Sequence, residues 1–263
     1  AETFLMGSPD TEEGRDEDEA QREVRIARPF AVAVTEVTRA QYEAVMGVPA
    51  HEGCVVESEG QQVPAVCVTW FEAVRFANRL STIEGLTPVY EIVGSSVTWK
   101  PTPSRKVGYR LLTEREWEYA ARAETQTVFV GTSDPTGACD WANVSDRSRG
   151  GSFLCDDGFP RLAPVENRMR PNVWRLAGFG GNAAEWVWDW YAEKPPDAAR
   201  GPETGQSRVF RGGSWYDSPQ SARVADRGRN GPSARYSLVG FRLARSCHPS
   251  AVSPSKCFAP QAE

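Results

Sequence analysis

Apolar residues recur at helical spacing in three places along the chain, and each of these stretches opens with the same polar signature. Thr38 with Gln41, Thr69 with Glu72 and Thr113 with Glu116 each place a threonine three residues ahead of a glutamine or glutamate. The hydroxyl can accept the third helical amide while the longer side chain reaches back to the threonine amide. Three helices are therefore predicted. In the second, Phe71, Val74, Leu80 and Ile83, with Ala73 and Ala77 between them, form an apolar stripe that runs until Gly85. The third, over residues 113–123, turns Trp117, Ala120 and Ala121 inward. Residues 4–8 read as a short strand ending in a turn, and 89–92 can pair with 96–99 over Gly94-Ser95. Residues 185–191 and 208–210 are further strand candidates. Past Ala123 the helical period never lasts for more than about a turn, and 23 glycines and 19 prolines punctuate the chain. The pattern predicts an α+β fold with few helices, short antiparallel strands and much ordered loop. A single domain over residues 1–263 is the simplest organisation, because no low-complexity linker, composition shift or solenoid repeat divides the chain.

Composition narrows the function more than the fold. The 263 residues are 40% hydrophobic and 25% charged, an ordinary balance for a chain that buries a core. Thirty basic against 35 acidic side chains give a net charge of -5, with no basic face to suggest nucleic acid as a partner. The longest apolar runs, such as 64–68 and 30–34, are far shorter than the roughly 20 residues of a membrane-spanning helix, so no transmembrane segment is expected. The chain opens at Ala1 without a basic-then-apolar leader, which leaves the compartment open. The acidic run from Glu12 to Glu19 reads as a solvated face, with a cation site as the weaker alternative.

Two histidines, His51 and His248, cannot supply a three-histidine iron centre, and both sit in loop-like surroundings. The six cysteines fall into local couples, Cys54 with Cys67, Cys139 with Cys155 and Cys247 with Cys257, none with the spacing of a zinc or redox site. Local disulfides that close loops are the favoured reading and buried thiols the alternative.

Seven spaced blocks carry a family resemblance. They are Phe4-Leu5-Met6-Gly7-Ser8, Thr35-Glu36-Val37-Thr38, Pro64-Ala65-Val66 before Thr69-Trp70, Tyr109-Arg110-Leu111-Leu112-Thr113-Glu114 with 116–122, Gly181-Asn182-Ala183-Ala184-Glu185-Trp186, Arg211-Gly212-Gly213-Ser214-Trp215, and Gly240-Phe241-Arg242-Leu243-Ala244. In that order they resemble the formylglycine-generating-enzyme type of C-type lectin fold over nearly the whole chain. The resemblance implies two copper-binding cysteines just after the Gly-Gly-Ser-Trp block, because soft thiolates hold Cu(I). Here those positions are Asp217 and Ala222, and no cysteine lies between Asp156 and Ser246, so copper and formylglycine generation are not expected. The thiol-histidine branch of the family needs the three-histidine iron set already excluded.

The segment 216–238 further resembles the variable region of a diversity-generating retroelement protein, in which AAC codons are randomised. Such codons become NNC codons, which cannot encode Lys, Glu, Gln, Met or Trp. Tyr216, Asp217, Ser218, Ser221, Val224, Asp226, Gly228, Gly231, Ser233, Ala234, Tyr236, Ser237 and Leu238 all obey that exclusion. They interleave with a frame of Pro219-Gln220, Ala222-Arg223, Ala225, Arg227, Arg229-Asn230, Pro232 and Arg235. The resemblance implies a non-catalytic display protein that binds an unidentified protein or surface macromolecule. Tyr216 and Tyr236 would be its anchors, and Asp217 and Asp226 would set charge preference. An enzyme of the same superfamily acting through other residues, such as Arg229 or Glu185, is the alternative, and an accessory domain without a ligand the third reading.

The family resemblance also implies structural calcium. Its first site maps onto the side chains of Asn143 and Asp157 and the carbonyls of Val144 and Phe159, hard oxygen donors suited to Ca²⁺. A second site would use Gly181, Ala183 and Glu185, but its upstream Asn or Asp is Gly178 here, so that site has lost a ligand. Gly178-Phe179-Gly180-Gly181 lacks the strand-to-helix context of a phosphate loop.

Overall fold

All three capping boxes close, with reciprocal bonds between each threonine and the residue three positions on. In the computed structural model, residues 2–247 are described apart from 51–53, 55–57, 59, 101–105, 150–154 and 167–168. His51, His248 and Cys257 lie outside the described residues. In chain order the elements are β1 (Glu2–Met6), β2 (Arg22–Ile26), β3 (Phe30–Val32), α1 (Arg39–Met46), α2 (Trp70–Ile83), β4 (Tyr90–Val93), β5 (Ser96–Trp99), β6 (Tyr109–Leu111) and α3 (Glu114–Arg122). Then follow β7 (Ala142–Asn143), β8 (Gly180–Gly181), β9 (Ala184–Trp190), β10 (Arg208–Arg211), β11 (Gly228–Asn230), β12 (Val239–Phe241) and β13 (Leu243–Ser246). No described helix is long and apolar enough to cross a membrane.

The expected hairpin forms as β4 and β5, with Ile92 opposite Val97. A four-stranded sheet in the order β11-β10-β9-β12 carries the site described below, and a three-stranded sheet orders β3-β13-β6. Most pairs are antiparallel, but β12 runs parallel to β9 and β7 parallel to β8. Strand pleating sends alternate residues of β9 to opposite faces. Ala184, Trp186 and Trp188 enter a core with Trp70, Phe76 and Phe241, while Val187 enters a second core with Trp117, Val209 and Val224. Three buried indoles find acceptors: Trp70 on Val187 O, Trp186 on Val68 O and Trp117 on the Glu185 carboxylate. A buried indole N–H without a partner would be costly, so these bonds fix the register of α2 and α3 on the sheet.

The core face of α2 is rotated from the expected stripe. Trp70, Ala73, Val74, Phe76, Ala77 and Ser81 are buried, Phe71 and Leu80 only partly so, and Ile83 is 61% exposed. In the last turn Ser81 is buried and accepts the Tyr109 amide, while Ile83 faces away from the core. Two expected disulfides are present, Cys54–Cys67 and Cys139–Cys155.

Candidate functional site

The segment that follows β10 begins with a backbone only glycine permits. Gly213 has φ +65, and a Cβ on it would lie 2.6 Å from the Ser221 carbonyl oxygen, so the chain folds back on itself at van der Waals distance. Arginines then tie the segment to the rest of the fold. Arg223 donates to both oxygens of Glu19, at 2.6 and 2.7 Å, and to Glu12 at 2.9 Å. Arg227 makes a two-point contact with Glu114, Nε to Oε1 at 2.6 Å and Nη2 to Oε2 at 3.0 Å, and reaches Asp18 at 3.2 Å. Arg235 holds the Cys67 carbonyl at 2.7 Å and pairs with Glu72, the capping residue of α2. Just upstream, Arg211 joins Glu114 and Glu118 and donates to the Val224 carbonyl at 2.7 Å. Burial pushes the Glu114 and Glu19 carboxyls up, but these guanidiniums outweigh it and hold both below the ordinary carboxylate range. The acidic run is thus in part an internal counter-charge: Glu19 is buried, not solvated.

Against that frame the interleaved residues divide. Tyr216 and Tyr236 are 53% and 41% exposed, and Ser218 and Ser233 also face solvent. Asp217, Ser221, Gly231, Ala234 and Ser237 are half-buried. The Tyr236 hydroxyl accepts from Asn230 at 2.6 Å. Two of the expected contact residues are corrected. Val224 is 1% exposed, packs in the second core and bonds through its amide to the Val128 carbonyl. Gly228 lies on β11 against Phe210, where any Cβ would overlap the ring, so a side chain there requires the ring to move. Leu238 packs partly against the core and its carbonyl accepts the Ala184 amide. Asp226 is half-buried, and burial pushes its carboxyl up to about 7 although Arg223 and Arg211 pull it down. Its carboxylate clusters with those of Asp16 and Glu19.

At the two positions where the family resemblance leads one to expect copper-binding cysteines, Asp217 accepts the Ser214 hydroxyl at 2.5 Å, and Ala222 is buried against Cys139, Ala142 and Val144. Neither side chain offers a thiolate. The Cys139–Cys155 disulfide lies beneath Ala222, so the loop carrying the first calcium set supports the frame.

That loop holds polar atoms in a pattern suited to a cation. Asn143 is fully buried, and its amide nitrogen donates to Arg161 O at 2.8 Å and Asn182 Oδ1 at 3.1 Å, while its Oδ1 has no hydrogen-bond partner. Asp157 accepts the amides of Val144 and Phe159 at 2.9 and 2.7 Å. Asp146, which the motif reading passed over, accepts the Asp157 amide and lies in one cluster with Asp157 and Cys139. Cys139 is spent in its disulfide and offers no thiolate. Among the described residues no arginine or lysine pairs with Asp146 or Asp157, and burial, with Asp146 and Asp156 nearby, pushes the Asp157 carboxyl up to about 6. An orphaned buried oxygen beside uncompensated carboxylates fits a hard cation. The Asn-x-x-Asp spacing from Asn143 to Asp146 was the available signal for the additional carboxylate.

The second calcium set does not fit. Glu185 is committed to Arg242 through bonds of 2.7 to 3.1 Å and to the Trp117 indole. Beside Gly178, Glu36 fills the place a ligand side chain would take. The cation there is Arg242, which also donates to the carbonyls of Ala33, Val34 and Ala177.

Comparison with known proteins bears on the fold and the family. The solved structure of Treponema denticola variable protein 1 superposes with a TM-score of 0.76 at 30% identity, covering 95% of this chain and 93% of that one. The formylglycine-generating enzyme of Streptomyces coelicolor is 33% identical over 249 residues, covering 82% of this chain and 78% of that protein. The chaperone protein LppX of Paenibacillus barcinonensis is 27% identical over 241 residues, with 82% and 80% covered. The sulfatase-modifying factor enzyme 1-like domain matches residues 2–247, and the chain belongs to that family.

Proposed function

We propose that this chain is a non-catalytic display protein that binds a protein or other surface macromolecule through its 216–238 segment, with variation at the interleaved positions supplied by retroelement diversification. The observation that carries the reading is the separation of labour in that segment. Its backbone is held by Arg223, Arg227 and Arg235 on Glu19, Glu114 and Glu72, while Tyr216, Ser218, Ser233 and Tyr236 face solvent. Side chains that do not hold the loop can change without unfolding it, and two exposed tyrosines offer large contact area at low entropic cost. Likeness to a protein named a variable protein supports the reading. Val224 and Gly228 are left out of the contact set for the packing reasons given above. We also propose a structural Ca²⁺ held by Asn143 Oδ1, the carbonyls of Val144 and Phe159, and the carboxylate of Asp157, with Asp146 beside it; bound there, the ion would neutralise the carboxylate pair and stiffen the loop under Ala222.

The test has two arms. The first is to sequence the neighbouring DNA for a near-copy of codons 215–240 carrying AAC at the interleaved positions beside a reverse transcriptase gene; absence of both overturns diversification. The second is to exchange the exposed interleaved residues for another NNC-compatible set. A stable protein with a changed partner supports display, and retained binding to the same partner overturns it.

One observation favours the enzyme alternative: the half-buried Asp226 carboxyl, pushed up to about 7 beside Asp16 and Glu19, could hold a proton near neutral pH. Under that reading an activity on a peptide side chain follows this titration and is lost in Asp226→Asn, while Tyr216→Ala and Tyr236→Ala leave it intact.

A further inference from the structure

Separate from the 216–238 segment, a half-open cleft of about 1230 Å³ lies between the end of β2, strand β5, the 198–203 loop and the end of β13. Arg25, Arg28, Arg110, Arg115, Arg200 and Arg208 line it, against Glu116 and Glu203 alone among acidic side chains. A chain of net charge -5 has thus gathered a fifth of its 30 basic residues around one cavity.

Only part of that charge is matched. Arg110 is spent on Glu116, with bonds of 2.7 and 2.8 Å. Arg115 donates to the Ala198 carbonyl at 2.6 Å and lies 3.4 Å from the exposed Asp197. Arg25, Arg28, Arg200 and Arg208 make no ion pair among the described residues. Among the described residues Arg200 donates only to the Trp99 carbonyl, at 3.3 Å. Arg208 is 3% exposed, donates to the Trp188 carbonyl, and leaves its buried Nε without a partner. Burial pushes Arg208 down to about 9 despite the nearby Asp189 and Tyr90, which still leaves it cationic at neutral pH. Arg200 is likewise lowered by burial and by the positive charges of Arg110 and Arg28.

Two of the unpaired arginines, Arg200 and Arg208, are held by rings rather than by carboxylates. The Arg208 guanidinium carbon lies 3.7 and 3.5 Å from the ring centroids of Trp70 and Trp190, and Trp99 has Arg200 at 4.2 Å and Arg110 at 5.0 Å. Stacking of this kind orders a guanidinium without consuming its N–H donors, which stay available to an oxyanion. Val97, Trp99 and Pro202 add an apolar wall on which an organic body can rest.

We propose that this cleft binds a compact organic anion bearing several sulfate or phosphate ester groups. One charge would engage one guanidinium, whereas several esters on a small frame match the spread of Arg25, Arg28, Arg200 and Arg208 around the cavity.

Isothermal titration of the full chain with sucrose octasulfate, fructose 1,6-bisphosphate and neutral sucrose tests the assignment. At least one ester binds and quenches tryptophan fluorescence, and the affinity falls as salt is raised. A preference for one ester over sucrose supports the proposal. The double variant Arg28→Ala/Arg200→Ala, at two exposed positions, raises Kd by at least about tenfold with an unchanged melting temperature. Arg208→Met is the stronger but riskier variant, and the exposed pair decides where it fails to fold. Tyr216→Ala/Tyr236→Ala leaves Kd unchanged, which separates this site from the display surface. The proposal is overturned if neither ester binds better than sucrose, if the Arg28/Arg200 variant binds as wild type does, or if Arg170→Ala, at an exposed arginine elsewhere, weakens binding equally.

Discussion

Arg223 and Glu19, 204 positions apart, meet in a two-point ion pair inside the protein, both oxygens of the carboxylate accepting from the guanidinium at 2.7 and 2.6 Å. The pair couples the acidic run near the start of the chain to the frame of the 216–238 segment. With Arg227 on Asp18 and Glu114, it explains how a loop with little regular structure keeps its shape.

Removing one partner of a buried pair leaves an uncompensated charge. Arg223→Ala should therefore cost about 3 to 5 kcal/mol. Arg229→Ala, at an exposed residue that only stacks on Tyr191, should cost less than about 1 kcal/mol. Urea unfolding of both variants measures the difference, and equal losses would show that the frame is not electrostatically pinned.

The division into frame and display makes a second prediction. Tyr216→Ala, Ser233→Ala and Tyr236→Ala should each shift stability by no more than about 0.5 kcal/mol. Trp215→Ala should cost roughly 3 to 5 kcal/mol, because its ring is buried with Val63, Val66 and Leu162. Partner affinity should respond in the opposite sense, falling by at least about 1 to 2 kcal/mol for either tyrosine and little for conservative frame changes.

For the calcium site, a chelator should lower the melting temperature and added Ca²⁺ restore it, since an ion bound only by the folded state adds its binding free energy to stability. Asp157→Ala should be indifferent to both additions. A wild-type melt that ignores chelator and calcium alike would remove the site.

Stability should peak in mildly acidic solution. Glu19 and Glu114 are held below the ordinary carboxylate range, so their contribution is present above that range and lost as pH falls through their folded values. Glu36 and Asp189 are pushed up to about 7, by burial first and then by Glu185 and Glu114 respectively. The fold favours their neutral forms, so stability declines as pH rises from the ordinary range through about 7. Glu36→Gln, which keeps an acceptor for Asn182 without the charge, should flatten the decline on that side in calorimetry. An unchanged slope would place the titration elsewhere.

Local chemistry was legible in the sequence. Each capping box spans three residues and needs no partner from elsewhere, and the β4–β5 hairpin turns within its own segment. That residues 217 and 222 are not cysteines is a matter of residue type alone. What the sequence left undetermined depends on atoms far along the chain. An apolar stripe marks α2 as amphipathic, but only the sheet beneath it decides that Trp70 is covered and Ile83 is not. Codon-compatible residues could be named, yet Val224 and Gly228 leave the display set because Val224 is buried in the second core and the Phe210 ring lies against Gly228. An acidic run looks solvated until Arg223 and Arg227 arrive from more than 200 positions away, and the cleft arginines look like scattered surface charge until four segments converge. Short-range hydrogen bonding is written in neighbouring residues, whereas burial and charge pairing are set by which distant segments the fold brings together.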